Sequence, residues 1–240
     1  MVIELNVIGV RDKALGEPAA AGWFADLDAG MQDRLLAVAS ERNCGPGQAL
    51  YRVGDTGRGV FGVIDGWITV GVAADHGQET LVHAAGPGFW IGDLALLSER
   101  TRLVTISAVN AVRFLFIPAE RVEEMLAEDI GRLRDFYRLS NVNTRTALRI
   151  MGIDRVNPAE RRLGLRLLHL LENCPMREPW LPLSQELVAE LCAMSLSTAQ
   201  RALSRLTAAG YVKRGYGGLK LCDRDGLTQY CRGDVRETLP

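Results

Sequence analysis

The sequence has few of the residues that hold proteins together through covalent or metal bonds. Its five cysteines are odd in number and scattered, and no two of them have the C-x-x-C spacing. The three histidines pair neither with each other nor with a cysteine. This pattern argues against a disulfide framework and against zinc, whose ligands usually occur in close pairs. We expect no metal and no resident cofactor.

Long apolar segments are also absent. No apolar run reaches the roughly 18 residues that a membrane-spanning helix needs. Residues 1–22 lack the regions of a signal peptide and read as a loosely attached extension. The expected location is the cytoplasm, with no membrane contact. Nucleophile elbows, P-loops and H-E-x-x-H motifs are missing too, so we expect no enzyme.

Charge is present but unevenly distributed. Residues 155–240 carry 13 Lys/Arg and 9 Asp/Glu, a balance of +4, whereas residues 1–154 carry 15 and 20, a balance of −5. The asymmetry favours an acidic sensor joined to a module that meets a polyanion. Chance scatter of surface charge is the alternative.

The segment from Cys44 to Pro118 is rich in glycine and β-branched residues. Asp65-Gly66 lies between two apolar runs, which is typical of a hairpin with a type I′ turn. A second turn is predicted at His76-Gly77. Many short strands with closely spaced turns indicate a β-barrel or roll. Before them, Asp28 or Asp26 could cap a short helix through residues 31–36.

Proline is absent from Ala119 to Val156, and apolar residues recur there every three or four positions. This predicts a helix longer than a small domain needs, with part of it covering the β-roll and part packing on a second chain. A core helix of a monomer is the alternative. Asn157-Pro158 should begin the next helix, and a loop should follow from Cys174 to Pro179. The predicted dimer contacts are Leu139, Val142, Thr146, Ile150 and Ile153.

The segment from Leu183 to Cys222 predicts a winged helix-turn-helix. Ser184 suits a helix start, residues 193–195 form a tight connection, a second helix runs from Ser197 to Ala208, and a hairpin surrounds residues 215–218. Between Leu191 and Cys222 there are five Lys/Arg and no acids, which favours DNA phosphates. A helical hairpin with a solvated basic face is the alternative. The predicted DNA contacts are Ser195, Ser197, Thr198, Gln200, Arg201, Ser204, Arg205, Lys213 and Arg214.

With these segments in order, residues 23–228 resemble the Crp/Fnr family of bacterial transcription regulators. The motifs that carry the resemblance are Gly54-Asp55, Asp65-Gly66-Trp67-Ile68, Gly86-Pro87-Gly88, residues 91–97, the recognition-helix run 198–206 and the closing run 221–227. Arg201 matches the arginine that commonly reads guanine, whereas Ser197 replaces a glutamate usual in several relatives.

The resemblance implies an α+β protein with an N-terminal double-stranded, jelly-roll-like β-roll, a long dimerisation helix and a C-terminal winged helix-turn-helix. The implied domains are an extension (1–22), a cyclic-nucleotide-binding-like sensor (23–128), the dimerisation helix (129–156) and the DNA-binding domain (157–240). The implied partners are a second copy, a near-palindromic double-stranded DNA site and, for an activator, RNA polymerase. An effector on the β-roll would reorient the DNA-binding domains.

The resemblance places the effector pocket where the sequence departs from cyclic-AMP binders. Asp93 stands where those proteins have glutamate, Leu103 replaces a hydroxyl after Arg102, and the long helix offers no hydroxyl to the base. We expect an unknown small-molecule effector other than cyclic AMP. A cyclic-nucleotide-responsive regulator, or a sensing module without DNA binding, remains the alternative. The predicted pocket is Gly92, Asp93, Leu94, Arg102, Leu103, Ala147 and Leu148.

Overall fold

The structure is a computed structural model that describes residues 22–73, 79–96, 98, 101–172 and 180–233. Most of the predicted N-terminal extension, the His76-Gly77 turn and the loop from Cys174 to Pro179 therefore lie outside the described residues. The chain forms two compact units that divide between Arg145 and Thr146, with Thr80–Ala84 grouped with the second.

The first unit opens with a short 3₁₀ turn, Trp23–Asp26, and helix α1, Ala29–Val38. An Oδ1 atom of Asp28 accepts a hydrogen bond from the backbone N–H of Met31 at 2.9 Å. Such a bond satisfies one of the free N–H groups at a helix start. Asp28, rather than Asp26, is thus the cap.

Two four-stranded sheets make up the β-roll, and the predicted fold class is confirmed. One sheet has the order β1 (Ser40–Cys44), β8 (Val112–Pro118), β3 (Gly59–Asp65) and β6 (Trp90–Ile91). The other has the order β2 (Ala49–Tyr51), β7 (Val104–Ala108), β4 (Ile68–Ala73) and β5 (Glu79–Ala85).

The hairpin predicted at Asp65-Gly66 is wrong, because β3 and β4 belong to different sheets. A type I′ turn needs positive φ at both central residues, whereas only Gly66 has it, at 84°. A Cβ at Gly66 would lie 2.2 Å from the carbonyl oxygen of Ala111. Glycine at this position therefore allows the chain to pass close to the backbone of Ala111 as it crosses from one sheet to the other.

A single apolar core holds the β-roll to the helices that follow it. Helix α2 spans Asp93–Leu96, α3 spans Ala119–Glu128, and α4 spans Leu133–Ile153 after a 3₁₀ turn at Ile130–Arg132. The Trp23 indole N–H donates to the carbonyl of Asp135 at 2.6 Å. Its ring lies 5.3 Å from Trp90 and 5.8 Å from Phe136, measured between centroids. Phe136 and Leu139 complete this core.

Three of the five predicted dimer contacts on α4 are buried within the protomer. Leu139 is 1% exposed inside the core, and Ile150 and Ile153 are also buried within the protomer. Leu139, Thr146 and Ile153 share a face because they are seven residues apart, close to two helical turns. Val142 is exposed beside them and Thr146 is half-buried. The outward face instead carries Tyr137, Asn141, Thr144, Leu148 and Met151.

The second unit carries the winged helix-turn-helix. Its helices are α5 (Ala159–Leu170), α6 (Gln185–Leu191), α7 (Leu196–Ala208) and α8 (Arg224–Arg232). Its sheet has the order β10 (Val212–Gly215), β11 (Gly218–Leu221) and β9 (Trp180–Leu181). Pro158, and not the predicted Asn157, is the N-cap of α5. Helix α8 and strand β9 were not predicted.

The core position of Leu139 can be tested against that of Val142. Leu139→Ala should lower the free energy of unfolding by about 2–5 kcal/mol, because it removes a packed side chain from the core. Val142→Ala should change it by less than about 1 kcal/mol, since that side chain is exposed. Urea denaturation of both variants is the measurement, and equal losses would contradict the assignment.

Candidate functional site

The start of α7 is fixed by its own first residues. The Ser195 hydroxyl accepts a hydrogen bond from the backbone N–H of Thr198 at 3.3 Å, and the hydroxyls of Ser195 and Thr198 are 2.9 Å apart. Ser184 caps α6 in the same way through Leu187. Between the helices, Ala193 takes a positive φ of 48°. The tight turn therefore has one strained residue and a well-defined helix start after it.

Helix α7 has one buried face and one polar face. Ala199, Ala202, Leu203 and Leu206 are buried. On the other side Ser197, Gln200, Arg201 and Ser204 are exposed. Within the described part of the chain, Arg201 forms no ion pair.

A buried arginine holds the helix-turn-helix together. Arg166, on α5, is 1% exposed, and its Nε atom donates to the carbonyl of Leu191 at 2.8 Å. That carbonyl is at the end of α6, where helix acceptors lack a partner. Burial lowers the pKa of the guanidinium. No local pattern predicts this contact, because the two partners are 25 residues apart in the chain.

Arg205, predicted to bind DNA, has a partner inside the protein. Its guanidinium donates to a carboxylate oxygen of Glu160, at the start of α5. The Glu160 side chain is buried, whereas that of Arg205 is largely exposed. Arg205 therefore compensates a buried charge, and less of its own charge is available to a phosphate.

The hairpin of β10 and β11 forms a wing after α7. Val212 pairs with Leu221 and Gly215 with Gly218, which leaves Tyr216 and Gly217 as the turn. The predicted contacts Lys213 and Arg214 are both exposed on β10. All nine predicted DNA contacts thus lie on α7, its cap or the wing.

In the first unit, Arg102 occupies the centre of the predicted effector pocket. It is buried, its Nη1 atom donates to the carbonyl of Gly92 at 3.3 Å, and its Cζ atom lies 4.4 Å from the centroid of the Tyr51 ring. A Cβ at Gly92 would lie 2.8 Å from that Nη1 atom. Gly92 also has a φ of 112°, and a Cβ there would lie 2.4 Å from the carbonyl oxygen of Gly59, so the backbone itself requires glycine at this position. Burial lowers the pKa of Arg102 and raises that of the Tyr51 hydroxyl.

Asp93 is bonded to helix α4. One of its carboxylate oxygens accepts from the amide Nδ2 of Asn143 at 2.8 Å, and the same Nδ2 also donates to the carbonyl of Trp90 at 3.2 Å. Sequence reasoning missed Asn143. The available signal was a polar residue in step with the buried Phe136 and Leu139, at spacings of three and four.

The remaining predicted pocket residues lie elsewhere. Leu103 is 59% exposed, and Ala147 and Leu148 are exposed on the outer face of α4. No contact with Arg102 is described for these three residues, and their assignment to the pocket stays a prediction. Leu94 is exposed and lines a concavity of about 660 Å³ with Ile130, Leu133, Arg134 and Tyr137.

The residues around Arg102 have unused hydrogen-bonding capacity. Four buried atoms have no hydrogen-bond partner among the described residues: Tyr51 Oη, Asp93 Oδ2, Arg102 Nε and Asn143 Oδ1. Arg102 and Asp93 are close enough to Tyr51 for their charges to act on its pKa, and Tyr51 and Asp93 act in the same way on the pKa of Arg102. Buried polar atoms are nearly always paired, so these four atoms are an exception that a bound polar molecule could satisfy. We call it the buried polar cluster.

Residues 41–129 match the cyclic nucleotide-binding domain family, and residues 161–230 match the Crp-like helix-turn-helix domain family. Both matches coincide with the units that carry the two sites. The chain belongs to the Crp/Fnr family.

Full-length relatives place this Crp/Fnr protein among transcription regulators that bind DNA. It is 23% identical to the transcriptional activator protein FnrA of Stutzerimonas stutzeri, over 95% of this chain and 97% of that protein. It is 20% identical to the CRP-like cAMP-activated global transcriptional regulator of Mycobacterium tuberculosis, over 89% and 98%. The fold matches the structure of FixK2 from Bradyrhizobium japonicum, with a TM-score of 0.71, 20% identity and coverage of 80% and 96%.

Two further features bear on the functional class. Among the described residues, no group of three or more His, Cys, Asp or Glu side chains is arranged to hold a metal ion. No helix in the described part of the chain has the length and apolar character to cross a membrane.

Proposed function

We propose that this Crp/Fnr protein is a dimeric regulator that reads a near-palindromic DNA site through α7 and the wing. The observation that carries the proposal is the polar face of α7, where Arg201 is exposed among polar side chains and has no ion pair with any described residue. An arginine can bond bidentately to guanine in the major groove. The wing places Lys213 and Arg214 for phosphate contacts, which fix position rather than sequence.

The proposed dimer contact is the outward face of α4. Tyr137, Asn141, Thr144, Leu148 and Met151 are exposed in the single chain and are spaced by alternating steps of four and three residues. That spacing is the a/d repeat of a coiled coil. Leu148, at 62% exposed, and Met151 would lose their exposed apolar surface against a second copy. Asn141 and Thr144 would set the register, as single polar a/d residues do.

The proposed effector site is the buried polar cluster, and the proposed effector is a small polar molecule other than cyclic AMP. The two side chains that would hold a nucleotide each have a partner within the chain already: Asp93 accepts from Asn143, and Arg102 donates to the carbonyl of Gly92. Leu103 offers no hydroxyl and faces outward. One full-length relative is named cAMP-activated, so a nucleotide effector is the second candidate.

The role of Arg201 can be tested on sequences selected from a random duplex pool. Arg201→Ala should weaken binding to a selected site by about 1–3 kcal/mol and relax one base preference. It should change folding stability by less than about 0.5 kcal/mol, as for other exposed sites. Binding isotherms and urea denaturation are the measurements, and an unchanged affinity with an unchanged preference would refute the role.

Arg205→Ala is the matched control for this experiment. It should destabilise the fold by about 1–3 kcal/mol, because it leaves the Glu160 carboxylate buried without its partner. A stability equal to that of Arg201→Ala would contradict the different roles of the two arginines.

The dimer can be tested with a charge on the outward face of α4. Leu148→Arg should give a monomer at micromolar concentration, because it buries two like charges at a two-fold contact. Leu148→Met, which preserves volume and apolar character, should remain dimeric. Sedimentation velocity of both variants is the measurement. A wild-type protein that is monomeric with and without operator DNA would refute the dimer itself.

The effector proposal predicts that cyclic AMP and cyclic GMP bind poorly. Two hydrogen-bond partners of the nucleotide are missing, because Asp93 replaces a longer glutamate and Leu103 replaces a hydroxyl. Their loss should cost roughly a hundredfold in affinity. Calorimetric titration of the full chain with each nucleotide is the measurement, with a selected operator present or absent. Micromolar binding of either nucleotide that also tightens operator binding would overturn the proposal.

A further inference from the structure

The tip of the wing carries one side chain. Tyr216 and Gly217 form the turn between the paired residues Gly215 and Gly218, so three of the four tip residues are glycines. Tyr216 is fully exposed. Gly217 has a φ of 70°, and a Cβ there would touch nothing within 4 Å. The tip is therefore a narrow projection that ends in one aromatic ring.

A tryptophan braces this narrow tip. The Cβ of an alanine at Gly215 would lie 2.5 Å from the Trp180 ring, and one at Gly218 would lie 2.8 Å from it. The indole thus covers one face of the hairpin at the two places where side chains are missing. Trp180 lies on the third strand of the sheet, β9, and pairs there with Lys220 of β11. The ladder and the indole together fix the direction in which the tip projects.

The surroundings of Tyr216 indicate the chemistry of its partner. Lys213 and Arg214 are exposed on the adjoining strand, and no acid occurs between Leu191 and Cys222. A tyrosine combines an apolar ring with a polar hydroxyl and suits a partner that offers both surfaces. The edge of a DNA groove offers sugars beside phosphates, and tyrosine hydroxyls donate to phosphate oxygens.

The shape of the tip indicates which groove. The minor groove is about 6 Å wide, roughly half the width of the major groove, which takes a helix or a two-stranded ribbon. A single ring with only glycines around it is thin enough for the narrower groove. The proposed placement of α7 in the major groove leaves the wing to reach the backbone and minor groove next to it.

We infer that Tyr216 is a DNA-contacting residue that enters the minor groove flanking each half-site, with its ring on the sugars and its hydroxyl donating to a phosphate. Trp180 is a positioning residue that holds the tip. The inference rests on the proposed DNA-binding function, which assigned the wing only its two basic residues.

The test compares two duplexes with the full-length protein. Both contain a selected site, but one extends past the half-sites and the other is trimmed at those flanks. On the long duplex, Tyr216→Ala should weaken binding about tenfold and Tyr216→Phe about threefold, since phenylalanine loses only the hydrogen bond. On the trimmed duplex the three proteins should bind alike.

Salt dependence separates Tyr216 from the basic wing residues. Lys213→Ala should reduce the slope of log affinity against log salt by about one, because it removes one phosphate contact. Tyr216→Ala should leave that slope unchanged, since a neutral side chain releases no counterion.

The positioning role of Trp180 is tested by a double-mutant cycle on the long duplex. If Trp180 acts through the tip, Trp180→Ala should weaken binding, and adding Tyr216→Ala should weaken it little further. Trp180→Phe keeps a ring under the glycines and serves if the alanine variant does not fold. Additive losses would overturn the positioning role.

The outcomes distinguish the inference from the function beneath it. If Tyr216→Ala binds the long duplex as the wild type does, the minor-groove contact is refuted and DNA binding stands. If the loss is the same on both duplexes, Tyr216 contacts DNA outside the flanks, and the placement is refuted. If the wild type selects no sequence and binds neither duplex, the proposed function fails with it.

Discussion

Helix α4 packs one face on the β-roll core and carries the proposed dimer contact on the opposite face. The rotation of the helix about its own axis decides which residues lie on each face. The indole N–H of Trp23 bonds to the carbonyl of Asp135, and the Trp23 ring packs on Phe136. These contacts turn Phe136 and Leu139 toward the β-roll core. Because seven residues complete nearly two turns, the opposite face is fixed as well. The outward position of Leu148 follows from the packing of residues nine to twelve positions earlier.

The same rotation of α4 also positions Asn143 for its hydrogen bond to Asp93. Asn143 follows Leu139 by one turn, so its amide lies on the inner face and meets Asp93. A rotation of α4 by one residue would replace Asn143 with Val142 or Thr144 and leave Asp93 without this donor. Leu148 was assigned to the pocket from the sequence by an ungapped count along the helix. Such a count carries no information about the rotation of the helix about its axis.

Local signals in the sequence predicted the helix-turn-helix well. Ser184 caps α6 from within its own first turn, as expected, and the start of α7 was missed by only one residue, because Ser195 rather than Ser197 precedes it. Capping involves residues three apart, so it is readable in a linear pattern. The sequence also predicts a turn at Asp65-Gly66, but it does not show that the strands on either side belong to different sheets. A turn signal shows that the chain reverses, whereas the backbone of Ala111 determines that it changes sheets.

Long-range charge pairs were beyond such patterns. Arg201 and Arg205 lie one turn apart on α7 and look equivalent in the sequence. Glu160, 45 residues away, pairs with one of them and leaves the other free. Arg166 is a similar case, since its partner carbonyl has no side-chain signature at all. The sequence pattern predicts the polar face of α7. The difference between Arg201 and Arg205 on that face depends on how α5 and α7 pack together.

The buried polar cluster limits how any effector could act. Asn143 joins α4 to the β-roll by two hydrogen bonds, which its Nδ2 atom donates to Asp93 and to the carbonyl of Trp90. Asp93 Oδ2 and Asn143 Oδ1 have no partner among the described residues. A ligand that bonds only to these two free oxygens leaves the contact with α4 in place, and it then has little reason to prefer one arrangement of the helix. A ligand that takes the Asn143 amide for itself removes that contact. Only differential affinity for two arrangements can shift their populations. An effector that binds at this proposed site and moves α4 would therefore have to compete for the Asp93–Asn143 hydrogen bond.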